Sequence, residues 1–402
     1  MRLNNTKIVV KNNNRSKQRW QWWPLLPLYP YGIKKTIFKE LIPGQLWSFE
    51  QLQGIYYVAV PVRLTVAKIT GGLMLFNTLA PTKEILSNIK KLEQNHGKVK
   101  TIILPTASGL EHKIYLPALS RAFPNAQLWI CPGQWSFPIN LPLDWLGIPS
   151  RRTRTLFSDG LPHQDICNWI CLGPVNIGLG RFQEISCYHK PSKSLLVTDA
   201  LVAISSKPPL VFDLDPTPLL FHSRENGEEP LNDSYLAREK GWRRLVLFAS
   251  FLRPEKLSIP SLKTLISYSF KPGMRNARSH FGLYPFIWEK GWESSADSLI
   301  GKKNPLIHIP PVIERLVFPR AKKSYLLWLD EIKSIRDIRW LIPSHYSAPV
   351  RFNKYDVIKL IKSIKNRTWA VGSGNWSFLD SVDKYLLSKN VVPEDPISYL
   401  KD

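Results

Sequence analysis

The stretch "KTIILPTASGLEHKIYLP", residues 100 to 117, runs an apolar strand into a loop of small residues that ends on a carboxylate and an imidazole side by side. The apolar run at 101 to 104 has strand length, and nothing nearby explains why Glu111 and His112 should follow it. In layered α/β proteins the loop after a strand is where chemistry sits, because the sheet fixes what the loop presents. The pair is either a solvated accident or part of a metal site, and the surrounding chain decides between the two.

Toward the N-terminus, "TKEILSNIKKLEQNHG" carries Ile85, Ile89 and Leu92 at helical spacing, opens on Thr82 as a cap and stops at Gly97. Before it, "QLWSFEQ", "IYYVAVPVRLTVAKI" and "GLMLFNTLA" are β-branched and aromatic runs broken by Gly or Pro, the pattern of successive strands. Toward the C-terminus the spacing predicts a helix over 114–123, closed by Pro124, and a strand in "QLWICPG". Strands followed by helix, strand, helix, strand predict helices packed on a sheet, an α/β layer fold.

Farther on, "EISCYHKPSKSLLVTDAL" predicts a hairpin with Asp199 at the end of its second strand. Residues 205–320 are rich in proline and less regular, with no internal period. Regular patterning resumes with an amphipathic helix over 319–335, a strand and loop in "IRWLIPSHYSAPV" that carries His345, and a helical tail from about 353.

Composition bounds the rest. The chain of 402 residues is 44% hydrophobic and 11% aromatic, which describes a folded protein. Lys and Arg exceed Asp and Glu by 55 to 31, a net charge of +24, which attracts polyanions and anionic surfaces and says nothing about fold. Nine of these cations precede the first acidic residue, Glu40, in a segment that also holds Trp20, Trp22 and Trp23. We read residues 1–42 as a basic, Trp-rich extension suited to an anionic membrane surface. Four irregularly spaced cysteines make no disulfide framework, and Cys167 and Cys171 read as buried thiols in a reducing compartment. No apolar run is long enough for a transmembrane segment, so a cytoplasmic, soluble or peripheral protein is expected. A phosphate-binding loop, a dinucleotide fingerprint and a serine-hydrolase elbow are all missing.

Three strand ends thus carry metal-competent side chains: Glu111 with His112, Asp199, and His345. Carboxylates and imidazoles suit Zn, Fe or Mn, and a layered sheet can bring distant strand ends to one edge. Taken singly, each would be a helix cap or a satisfied polar group; their order along the chain favours a site.

That order resembles the metallo-β-lactamase-like superfamily, in which a strand leads into an HxHxDH loop followed by a third histidine, an aspartate after a strand and a final histidine. On that motif Glu111 and His112 match the D-H end, Asp199 the bridging aspartate and His345 the last histidine, while Ala107 and Gly109 stand in place of the first two histidines. The phrases "GLEHKIYLPALSRAFPNAQLWICPGQWSFPINLP", "HKPSKSLLVTDAL" and "GWRRLVLFASFLRP" are similar to signatures of a metallo-β-lactamase-like domain family of unknown function found in cyanobacteria and plant plastids. The likeness runs from Gly44 to Phe352.

The resemblance implies an αββα sandwich over 43–352, with 205–320 as an elaboration and 353–402 as a helical tail, and a plastid location in a eukaryote. It implies a degenerate metal site in which the first metal position is lost. One divalent ion, or none, would be held by Glu111, His112, Asp199 and His345, and Glu184 stands as a tentative substitute for the middle histidine, ahead of His189. Three functions follow: a single-metal hydrolase of a small ester, thioester or phosphoester; a non-catalytic binding or scaffold protein at a photosynthetic membrane; and, last, nucleic-acid processing.

Overall fold

Short alternating segments dominate the first half of the chain, and they form strands. The computed structural model describes residues 28–29, 34–55, 57–134, 141–178, 180–276, 281–366 and 373–393. The first eight strands are β1 (Leu28–Tyr29), β2 (Thr36–Ile42), β3 (Leu46–Ile55), β4 (Val58–Ile69), β5 (Gly72–Phe76), β6 (Val99–Leu104), β7 (Gln127–Ile130) and β8 (Thr153–Thr155). They build one sheet, antiparallel from β1 and β2 through β5 and parallel from β5 to β8. Next come β9 (Cys167–Asn176), β10 (Arg181–His189) and β11 (Ser194–Val197). Two small pairs follow, made of β12 (Val202–Ile204), β13 (Leu257–Ser258), β14 (Ile287–Trp288) and β15 (Leu306–His308), and then β16 (Trp340–Pro343) and β17 (Val350–Arg351). The second large sheet has the order β17-β16-β11-β10-β9.

Period-two alternation shows how the sheets stack. Leu73 and Leu75 face outward with Ile102, Leu104 and Leu128, against Ile85 and Ile89 of α1 (Lys83–His96). Met74, Phe76 and Ile103 face inward and meet Ile185, Cys187, Leu196 and Ile342 of the second sheet. On the far side Leu195, Val197 and Leu341 pack under another helical layer. The layers therefore run helix, sheet, sheet, helix, the αββα sandwich expected from the sequence. Sheets covered on both faces explain the near-continuous apolar runs.

The remaining helices are α2 (Leu110–Lys113), α3 (Leu116–Ala122), α4 (Val211–Leu214), α5 (Thr217–Ser223), α6 (Tyr235–Phe251), α7 (Leu262–Ser269), α8 (Trp292–Asp297), α9 (Pro311–Leu316), α10 (Phe318–Ser334), α11 (Lys354–Lys365) and α12 (Ser377–Ser388). The helix expected over 114–123 is α3, two residues shorter at its start, and a separate single turn, α2, precedes it. Pro117 lies at the start of α3, where a residue without an N–H is tolerated, so the chain begins a new helix there.

Two expected boundaries shift. Strand β2 pairs with β3, Phe38 opposite Phe49, so the sheet takes in residues 36–42 of the segment read as an extension. Trp20, Trp22 and Trp23 lie outside the described residues. The tail is no appendage: Val357, Leu360, Ile361 and Ile364 of α11 enter the core of the second helical layer, and Arg315 of α9 bonds Asp380 and Asp383 of α12. Residues 205–320 contribute most of a further apolar cluster around Trp242, Leu245, Tyr284 and Trp292, which joins the edge of the first sheet at Leu52, Tyr57 and Ala59. Among the described residues no helix is long and apolar enough to cross a membrane. All four cysteines are free; Cys131, Cys167 and Cys187 are buried and Cys171 is partly so.

Candidate metal centre

Strand register brings the distant polar groups together. Strands β11 and β16 run parallel with Val197 opposite Pro343. Asp199 and His345 each follow two residues beyond that pair, so they emerge side by side at one sheet edge. The first sheet reaches the same edge through two isolated bridges, Val62 with His345 and Thr106 with Glu184. The loop after β6 then turns at Gly109 (φ 76°) and opens α2, which carries Glu111 and His112.

Four side chains converge there: one ligand atom each from Glu111, His112, Asp199 and His345 lies within 4.8 Å of all the others. Nε2 of His345 is 3.0 Å from Oδ1 of Asp199, Nε2 of His112 is 3.3 Å from the same oxygen, and the two Nε2 atoms are 3.3 Å apart. Oε1 of Glu111 stands farther out, 3.8 Å from Nε2 of His112, and Glu111 is partly exposed while both imidazoles are buried. Burial opposes a charge on His112, but the neighbouring Asp199, Glu111 and Glu184 carboxylates outweigh it and raise its pKa. Burial also opposes ionisation of Asp199, and the two imidazoles overcome it, holding that carboxyl well below its ordinary range.

Each ring is gripped from behind. Nδ1–H of His345 donates to the Pro61 carbonyl at 2.9 Å, since a carbonyl only accepts, and this turns Nε2 toward the centre. Nδ1 of His112 meets the Asn77 amide, 3.0 Å from Oδ1 and 2.7 Å from Nδ2. That amide is itself fixed, since Oδ1 accepts from the Thr78 N–H and Nδ2 donates to Ser344 Oγ. Asn77 has φ 73°, a left-handed backbone that asparagine tolerates better than most residues. The loop of His345 is held by Arg63, buried and paired with Glu50 at 3.0 Å, which donates to the carbonyls of Pro343 and Tyr346.

Glu184 does not join the group. Its buried carboxylate accepts from the backbone N–H of Thr198, Asp199 and Ala200 at 2.7, 2.7 and 2.8 Å. Both its oxygens are engaged in fixing the turn that presents Asp199, so it is a support for the aspartate and not a substitute ligand. Burial and the Asp199 charge push its pKa up, to about 7, against those three donors. His189 is also elsewhere, bonded to the Lys68 carbonyl and to Ser192. At the places of the first two motif histidines, Ala107 is buried and its carbonyl accepts from Lys113, while a Cβ on Gly109 would stand 2.7 Å from Cδ2 of His112. Sequence reasoning missed Asn77, Arg63 and Ser344; the one signal was a lone polar residue, Asn77, closing the apolar run of β5.

Several solved structures align with the chain at low identity. A metallo-β-lactamase from Pontibacter korlensis is 12% identical over 83% of this chain and 100% of its own, with a TM-score of 0.38. The metallo-β-lactamase FIM-1 from Pseudomonas aeruginosa, in a mono-zinc form, gives 9% over 83% and 97%, TM-score 0.36. A fragment of a putative diflavin flavoprotein from Nostoc gives 8% over 88% and 99%, TM-score 0.37. Comparison with curated proteins gives no match. The family is established by sequence: residues 43–362 match the domain of unknown function DUF4336, and the chain belongs to that family.

Proposed function

We propose that this DUF4336 protein holds one divalent metal ion, Zn, Fe or Mn, through His112, Asp199, His345 and Glu111, and that it hydrolyses a small ester, thioester or phosphoester. The observation that carries the reading is the spacing of the three inner donors, 3.0 to 3.3 Å. Ligands about 2.0–2.1 Å from a tetrahedral ion are separated by about 3.3 Å, the edge of that tetrahedron. Two imidazole lone pairs and a carboxylate oxygen at this separation repel unless a cation or a shared proton lies among them.

The support behind the rings fits the same reading. Nδ1–H of His345 donating to the Pro61 carbonyl, and Nδ1–H of His112 donating to Asn77 Oδ1, would orient both rings with Nε2 toward an ion, the usual outer arrangement of a metal-binding imidazole. Bound there, a divalent ion would supply Lewis acidity and a water of lowered pKa. Asp199 contributes a partly buried negative charge that favours a cation, and Glu111, at the exposed rim, is the group placed to meet water and substrate. Among the described residues no second group of ligands adjoins this one, and Ala107 and Gly109 offer no side-chain donor.

Metal analysis by mass spectrometry of protein purified without chelator tests this directly. The reading expects about one equivalent, lost in His112→Ala and His345→Ala, and hydrolysis of p-nitrophenyl esters or phosphoesters that follows metal content. Metal-free protein after reconstitution would contradict it. A second reading, a non-catalytic binding protein, draws on the closed first position at Gly109; it expects one bound metal without hydrolysis of any of these substrates.

A further inference from the structure

Helix α7 has no buried residue, although Leu262, Leu265, Ile266 and Tyr268 make half of it aliphatic or aromatic. Leu262, Ile266 and Phe270 follow one another at four-residue spacing, which puts them on one face, and they are 72%, 48% and 67% exposed. Ile259, in the turn before the helix, is 58% exposed, and Ile287 on the adjoining strand β14 adds another exposed aliphatic group. Single exposed apolar residues are ordinary, but a helical stripe of them is a mark of an interaction surface.

Charge identifies what the surface meets. Between Glu255 and Glu289 the sequence contains no carboxylate, while Lys256, Lys263, Lys271, Arg275 and Arg278 fall in that interval. Lys263 adjoins the stripe on α7, Arg275 lies over the Phe270 ring at 5.0 Å, and Lys271 reaches Glu228 at 3.2 Å. A short helix with an aliphatic and aromatic face bordered by cations is built for the boundary between lipid headgroups and acyl chains. A nucleic-acid backbone would use the cations and leave Leu262, Ile266 and Phe270 without a function.

We propose that α7 and its flanking turn form a peripheral membrane-docking surface for anionic lipid bilayers, with Leu262, Ile266 and Phe270 entering the interface and Lys263, Lys271 and Arg275 meeting acidic headgroups. This surface uses none of the residues of the metal centre. It adds a site of contact, and it holds whether or not the chain is a hydrolase.

The test is flotation of the full chain with vesicles of phosphatidylcholine alone and of phosphatidylcholine mixed with phosphatidylglycerol. Binding is expected to the mixed vesicles only, and Ile266→Asp with Phe270→Asp should weaken it about tenfold or more, since two apolar side chains no longer enter the interface. Both positions are exposed, so the melting temperature should be unchanged, and Lys263→Glu with Lys271→Glu should weaken binding independently. The proposal is overturned by equal binding to neutral vesicles, by no binding to either, or by a double variant that floats like the parent, which would assign binding to another surface. Retention of a duplex oligonucleotide lost on the same substitutions, without vesicle binding, would overturn it as well.

Discussion

Replacing Glu184 by Gln separates support from ligation. The carboxylate accepts three backbone N–H bonds, from Thr198, Asp199 and Ala200, inside the protein. Gln keeps one oxygen, which can continue to accept from Asp199 and Ala200, while its amide nitrogen must face the Thr198 N–H. Losing one charge-assisted bond and leaving a buried donor unpaired costs about 2–3 kcal/mol. Removing a negative charge beside Asp199 returns part of that, so a net loss of about 1–2 kcal/mol is expected. Glu184→Ala leaves all three donors unpaired and should cost about 3–5 kcal/mol. Urea denaturation of the metal-free protein measures both. Metal affinity should fall about 10–100-fold in Glu184→Gln, the range for an outer support of a ligand. Unchanged stability together with abolished metal binding would refute the assignment and make Glu184 a ligand.

Asn77→Ala removes the partner of Nδ1 in His112 and should weaken metal binding about 10–100-fold, measured by competition with a chromophoric chelator. Lys34 is buried and its pKa is pushed down by burial to about 7. The unfolded chain keeps that proton up to an ordinary lysine pKa, so stability rises as pH increases from about 7 toward 10 and is lowest below 7. Lys34→Met should therefore raise the melting temperature at pH about 6 and flatten this rise, which thermal melts across the window will reveal. Arg315→Ala leaves Asp380 and Asp383 buried with Lys384 and Arg320 as their remaining ion-pair partners among the described residues; a loss of about 3 kcal/mol in urea denaturation is expected, and a loss near zero would mean that α12 does not stabilise the domain.

Much of the layering was legible because both faces of each sheet are covered. The Leu73–Phe76 and Ile102–Leu104 runs are apolar throughout, and helix α1 was readable from Thr82 to Gly97 because its cap and its stop are local. Glu111, His112, Asp199 and His345 were legible as a set, since each lies in the segment that follows an apolar strand. Their convergence was not, because it depends on the parallel register of Val197 with Pro343, a long-range pairing that leaves no local trace. Glu184 illustrates a different limit: a carboxylate in a strand looks the same in sequence whether it binds an ion or three backbone N–H groups. Strand β2 was hidden because Thr36–Ile42 lacks clean two-residue alternation: Phe38 is exposed and Leu41, three residues on, is buried. The break between α2 and α3 turned on Pro117, which fits the first turn of a helix and not its interior.

Cobalt titration of the metal-free protein, followed by visible absorption, addresses the centre most directly. Two imidazoles and carboxylate oxygens around one ion predict d–d bands that saturate at about one equivalent and vanish in His345→Ala, whose ring stands 3.0 Å from Asp199. A spectrum no different from free cobalt, or one that His345→Ala leaves unchanged, would contradict the centre described here.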